Sequence, residues 1–293
     1  MLPLTNKNLS NLSLRHLAKR QSDINGKTPF LAQAARAGYL WDNKSQSKAG
    51  KRTFTEIKST LISMCVGVEI CNYCEQSEAS DIEHILPKSL FPSQAFVWTN
   101  YLLACKKCNT THKLDAMYVF QPTGSSNTIW VARGTQPPTT DYACIQPRLE
   151  NPMDWMQLSF KDFLFYARPP HEPGTRGFEK VERTLEILAL NNRPNLVKYR
   201  REAFGNFKRL LREYVAVKQA TDHDELEQAV SGDPAVNPAT PFDQEQQRLI
   251  DNLKNSILTG EHPTVWREMI RQCGTLPHLI QQIFRQAPEA LNW

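Results

Sequence analysis

The sequence has no apolar run approaching the roughly 20 residues needed to cross a bilayer. Its first residues, MLPLTNKNLSNLSLRHL, hold no apolar core of the kind a secretory leader requires. A cytoplasmic chain without membrane association is therefore expected. There is no GxxxxGK[ST] phosphate loop, so the chain is not expected to be an energy-coupled subunit itself. No internal repeat is visible. A strong charge excess is missing too: the formal net charge is +5 over 293 residues, which permits a nucleic-acid partner without requiring one. The length suits one large or two ordinary domains with a sizeable core.

Cysteine is present, and its pattern is informative. Three of the seven, Cys65, Cys144 and Cys273, are scattered, and Cys65 is most simply a core residue. The other four form two CxxC pairs, Cys71 with Cys74 and Cys105 with Cys108. In a reducing compartment such pairs favour a metal over disulfides. Thiolates at this spacing can reach one ion from a tight turn, which is the donor set of a closed, tetrahedral structural zinc site. Two unrelated pairs, or one redox dithiol, are the alternatives. The insert between the pairs is long enough to carry structure of its own.

Along the chain, residues 1–27 look polar and partly irregular, and 28–43 fit a short helix. SQSKAGKR (45–52) reads as a basic flexible loop, solvated or touching phosphate. Ile57, Leu61, Met64 and Cys65 recur at helical spacing, predicting a helix over 54–67. SDIEHILP (80–87) reads as a strand stopped by Pro87, FVWTNYLLAC (96–105) as a loop and apolar run, and 108–117 as a helix. Residues 121–152 are a Pro-, Gly-, Thr- and Ser-rich connection with an edge strand at TIWVAR, and 154–167 is strand or helix. Helices follow from about 178 and from about 195 to 220, separated by NNRP, because Pro194 disfavours helix at Arg193. Arg176–Lys218 holds eleven Lys/Arg against five Asp/Glu, an excess of +6 that exceeds that of the whole chain. It reads as a solvated face or as a nucleic-acid platform. Residues 221–244 start acidic and become a Pro/Gly-rich linker, and three helices close the chain.

Inside the insert lie Glu83, His84 and Asn100, and just past the last cysteine lie Asn109 and His112. An imidazole, neutral near pH 7, can take a proton from water. Carboxylate and amide oxygens such as those of Glu83 and Asn109 suit Mg²⁺ or Mn²⁺. On an α-helix Asn109, His112 and Lys113 would share a face, so His112 is a second candidate for the cation and Lys113 a candidate DNA-backbone contact or a solvated lysine. Asp81 shares a strand face with Glu83 and is read as a structural polar residue, with a metal-ligand role as the alternative. His16, His171, His223, His262 and His278 have no ligand-like neighbours.

A zinc clamp enclosing an acid–His pair, then an Asn, then an Asn or His on a helix, resembles the HNH (ββα-metal) endonuclease family. More narrowly, IEHILPKS, the W-x-N-x-L-L-A-C-x-x-C-N run and TLEILALNN…LVKYRR resemble the HNH (PtuB-like) subunit of Septu antiphage systems, also found with retrons. The likeness covers roughly residues 60–215. It implies His84 as general base, Glu83 and Asn109 as ligands of a catalytic Mg²⁺ or Mn²⁺, and Asn100 as the brace of the catalytic loop. It also implies DNA as substrate, an ATPase (PtuA-like) partner and a role in antiviral defence. The fold class expected is α+β, a zinc-stabilised ββα-metal core inside a mostly helical protein. The expected divisions are an N-terminal segment 1–53, a nuclease core 54–120, a connecting and basic helical region 121–220, and a helical region 221–293. An RNA- or tRNA-directed nuclease and a non-catalytic zinc module are the rival readings. If His84 behaves as ordinary imidazole, activity should rise through a pKa near roughly 6.5.

Overall fold

Two serines open helices at the start of the chain. Ser10 accepts a hydrogen bond from Ser13 N and caps α1 (Asn11–Asn25), and Ser47 accepts one from Gly50 N and caps α3 (Lys48–Ser63). Between them lies α2 (Phe30–Asp42). In α3, Phe54, Ile57 and Leu61 form the buried stripe. In α1 the stripe is Leu17, Gln21 and Ile24, and its polar member hides it from a reading of apolar periodicity. Gln21 is nevertheless internal: Nε2 donates to Pro92 O (3.0 Å) and Oε1 accepts from Phe96 N (2.8 Å). Of the stretch 1–27, expected to be partly irregular, residues 1–10 are irregular and 11–25 are helical, and most of the basic stretch 45–52 is the first turn of α3 rather than a loop.

The structure, a computed structural model, describes residues 1–67, 69–122, 124–230 and 236–293. Part of the linker expected over 221–244, residues 231–235, lies outside the described residues, as does Thr123 of the expected connection. The protein is α+β, mostly helical, with three two-stranded antiparallel sheets among the described residues. It divides into two compact units, Met1–Leu196 and Val197–Trp293. Among the described residues no helix is long and apolar enough to cross a membrane.

In the first unit β1 (Asp81–His84) pairs with β2 (Tyr101–Ala104), with Glu83 opposite Leu102 and His84 opposite Tyr101. All four residues of β2 are buried, because α3 packs against the strand. A short helix, Lys107–Lys113, follows. Then come β3 (Tyr118–Phe120) with β4 (Thr128–Trp130), α4 (Pro152–Trp155), and β5 (Met156–Leu158) with β6 (Phe165–Ala167). The cations of α5 (Arg176–Ile187) turn back onto this frame. The Arg176, Lys180 and Arg183 cations lie over Phe120, Trp155 and Tyr118 at 3.7, 4.4 and 4.8 Å. They also pair with Asp141, with Glu150 (2.6 Å), and with Glu179 and Glu186 (3.1 and 2.7 Å). The basic character of this stretch is thus largely used inside the fold in α5.

The second unit contains most of α6 (Pro194–Gln219), with α7 (His223–Ala229), α8 (Phe242–Leu258), α9 (Pro263–Arg271) and α10 (His278–Gln286). Leu249, Leu253 and Ile257 give α8 one buried stripe. Trp266 sits among Phe207, Phe284 and Trp293 at ring distances of 5.8, 5.8 and 6.2 Å.

Candidate metal centre and adjoining cleft

The sulfur atoms of Cys71, Cys74, Cys105 and Cys108 all lie within 4.8 Å of one another, and Cys74 and Cys105 are 3.7 Å apart. A tetrahedron of sulfurs around zinc, with Zn–S near 2.3 Å, has edges of about 3.8 Å. The four thiols can therefore hold a structural metal ion such as zinc. Four thiolates cannot crowd together without a cation. The Cys105 thiol is pushed down because Cys108, Cys71 and Cys74 donate to it, and Cys108 is pushed up because it donates to Cys105. Two neighbours complete the site. Asn72, inside the first pair, accepts from Leu103 N (3.0 Å) and its own N–H donates to Leu103 O (2.9 Å), docking this knuckle on β2. Arg193, buried between α5 and α6, donates from Nη1 to Cys108 Sγ at 3.4 Å. Burial lowers its pKa, but Cys108 and Cys74 more than offset this. A dication with four thiolates carries a net −2, which this guanidinium partly balances.

At the end of β1 a loop returns to β2, and Asn100 holds it. Its Oδ1 accepts from Leu86 N (2.8 Å), and its Nδ2 donates to Leu86 O (3.0 Å) and Gln94 O (2.9 Å). The same loop delivers Ala95 O to His84 Nε2 at 2.9 Å and to Tyr101 Oη at 2.7 Å. A carbonyl only accepts, so Nε2 carries the proton and Nδ1 is the basic nitrogen. Burial, then the charges of Lys88, Lys113 and Lys44, hold the His84 pKa down at about 3, with the Ala95 bond acting the other way. The imidazole is therefore neutral well below the ordinary value of 6.5, and the expected rise of activity through that pKa does not follow from this structure.

Glu83 is buried beside it. Burial pushes its carboxyl up, and Lys113 opposes this. Lys113 Nζ lies 2.6 Å from Glu83 Oε1, in the geometry of an ion pair rather than of an aligned hydrogen bond, and donates to His84 O at 2.7 Å. Lys113, at 4% exposure, is thus an internal counter-ion and neither a solvated lysine nor a DNA contact. Asn109 Nδ2 donates to Asp81 Oδ2 at 2.9 Å. Because a carboxylate accepts, the amide is oriented with Oδ1 left to take a cation.

Glu83, His84 and Asn109 line one cleft of about 280 Å³, whose wall also includes Trp41 and Lys88. Asn100 stands behind it. His112 is not brought to this cleft. The helix Lys107–Lys113 is a π-helix, closed by Leu114 N to Asn109 O at 3.0 Å, an i→i+5 link. The wider turn brings residues roughly four to five apart onto one face instead of three to four. Lys113 therefore shares the side of Asn109, while His112 turns towards Lys107 and Arg193, which with burial lower its pKa. Trp41, Lys44, Lys88, Asn72 and Arg193 escaped the sequence reading, since single residues distant in the chain leave no spacing signal.

A strand–loop–helix unit carrying a four-thiol cluster that can hold a metal, with an imidazole, a carboxylate and an amide oxygen converging on one cleft, is the class of protein described here. No family model matches the chain. Among curated proteins, it is 29% identical over 141 residues to Septu protein PtuB of Bacillus thuringiensis, over 45% of this chain. The chain resembles that protein and spans about half (51%) of the length of this curated relative.

Purified protein is expected to carry about one zinc per chain. Cys105→Ser should lose the metal and melt at a lower temperature; full retention of both would rule the clamp out. Arg193→Gln should keep the metal under excess zinc yet yield it to a chelator about 10–100-fold more readily. For His84, ¹⁵N–¹H spectra should show the Nε2–H tautomer with no titration between about pH 5 and 8. A midpoint near the ordinary imidazole value would mean that the ring is solvated.

Proposed function

We propose that this chain is a metal-dependent HNH endonuclease of the ββα-metal type, hydrolysing DNA phosphodiester bonds. The observation that carries the reading is the convergence of His84, Glu83 and Asn109 on one cleft, with His84 held as a base through its bond to Ala95 O. His84 Nδ1 takes the proton of the attacking water. Asn100 keeps the loop that aims the imidazole. Glu83, with Lys113 behind it, and Asn109, oriented by Asp81, hold Mg²⁺ or Mn²⁺. The bound cation would offset charge on the phosphate and the leaving oxygen. The four cysteines hold zinc for the fold and take no part in the chemistry. Family likeness implies 5′-phosphate and 3′-hydroxyl ends.

The likeness to Septu protein PtuB further supports a role in bacterial antiphage defence with a PtuA-like ATPase partner. The chain's lack of a phosphate loop leaves ATP hydrolysis to such a partner.

The substitutions are expected to fail in different ways. His84→Ala should bind DNA and Mg²⁺ nearly normally yet cleave about 10²–10⁴-fold more slowly. Glu83→Ala and Asn109→Ala should weaken the cation and recover part of the rate when Mg²⁺ or Mn²⁺ is raised. Asn100→Ala should slow cleavage while zinc content and cation affinity hold, and His112→Ala should be mild. Wild-type cleavage by His84→Ala would overturn the mechanism. Co-expression with an ATPase encoded beside the chain should give a stable complex; failure to co-purify would leave the nuclease to act alone.

A further inference from the structure

One wall of the cleft is built from outside the strand–loop–helix unit. Trp41, near the end of α2, sets its ring against the His84 imidazole, with centroids 4.1 Å apart and planes at 60°. The same indole carries two ammonium groups. Lys44 Nζ lies 4.8 Å from its centroid and Lys88 Nζ 6.0 Å. All three side chains are half-buried. Among the described residues, neither lysine has a carboxylate within 4.0 Å. Burial lowers the Lys44 pKa, Lys88 and Arg20 lower it further, and Asp42 opposes them. Two like charges gathered on one aromatic ring gain most from an anion placed beside both.

The arrangement is held in place. Arg20 donates from Nη1 to Leu40 O (2.6 Å) and from Nη2 to Asn43 O and Lys44 O (3.4 and 3.3 Å), closing the C-terminal end of α2. On the other side Lys44 O lies where a side chain of Gly50 would begin: a Cβ there would stand 2.2 Å from it. Glycine is unfavourable inside a helix, but at this position in α3 it lets the Lys44 backbone come close. The fold therefore fixes the main chain from which Lys44 extends.

We propose that Trp41, Lys44 and Lys88 form a clamp that seats a backbone phosphate of the nucleic-acid strand beside His84. This rests on the nuclease reading and deepens it. Ammonium groups pair with phosphate and carry no base readout of their own, so the clamp recognises phosphate and not base. Binding through it is indifferent to sequence.

The experiment uses the full chain with His84→Ala, so that DNA survives, and measures fluorescence anisotropy with two labelled duplexes of equal length and scrambled sequence over a series of salt concentrations. Lys44→Gln and Lys88→Gln should each weaken both duplexes alike. Each should also flatten the slope of log K against log salt by about 0.9, the value of one phosphate contact. Lys44→Arg should restore the slope, and the exposed Lys161→Gln should leave it unchanged; melting temperatures check that each variant folds. Unaltered slopes in both clamp variants, or an effect confined to one duplex, would overturn the clamp. Wild-type cleavage of the same duplexes in Mg²⁺ or Mn²⁺ separates the two ideas. Cleavage with unaltered slopes leaves the nuclease standing and removes the clamp, whereas neither cleavage nor binding removes both.

Discussion

The four-thiol cluster is the constraint on which the first unit depends. β1 and β2 are four residues each, and a two-stranded ribbon of that length is at best marginal in water. One CxxC pair lies before β1 and the other immediately after β2, so an ion shared by the four thiols would tie the outer ends of the ribbon together. Asn72 pins the first knuckle to Leu103, and the second knuckle launches the π-helix. Metal binding there would be folding energy for a segment too small to hold itself. It would also fix where Asn109 and Lys113 stand relative to Glu83 and His84.

Charge around the cleft is handled by pairing inside and by exposure outside. Glu83 is buried, and an unpaired buried carboxylate is costly enough that it would neutralise instead. Lys113 opposes that, while its second bond, to His84 O, joins the pair to the strand backbone. His84 stays neutral because burial and three nearby lysines disfavour its cation. A base depressed this far is weak, and an anion placed next to Lys88 and Lys44 offsets two of the charges that depress it. In the proposed nuclease, the substrate's phosphate would then contribute to the basicity that its own cleavage requires.

Legibility differed between elements for physical reasons. The strand, loop and metal-binding turns could be read because CxxC pairs and a Pro-stopped β segment are local signals, and their residues sit close in the chain. α1 was missed because Gln21 occupies a core position and is satisfied by Pro92 O and Phe96 N, contacts about 70 residues away. The start of α3 was missed because basic residues and Gly50 look like a loop until its packing against the Lys44 carbonyl is seen. His112 left the face it was expected to share with Asn109 and Lys113 because one i→i+5 link rotated the helix, which residue identity does not announce.

By itself, then, the sequence determined the donor set of four cysteines, the α+β class, and the group of Glu83, His84, Asn100 and Asn109, since each rests on residue type and short-range spacing. Tertiary structure alone decided which of them meet at the cleft, that Lys113 is an internal counter-ion, that Arg193 reaches Cys108, and that Trp41 packs on the imidazole of His84 with Lys44 and Lys88 over its ring. Those relations join residues separated by tens of positions, and only the packing of helices on the ribbon brings them within the few ångströms over which charge and hydrogen bonding act.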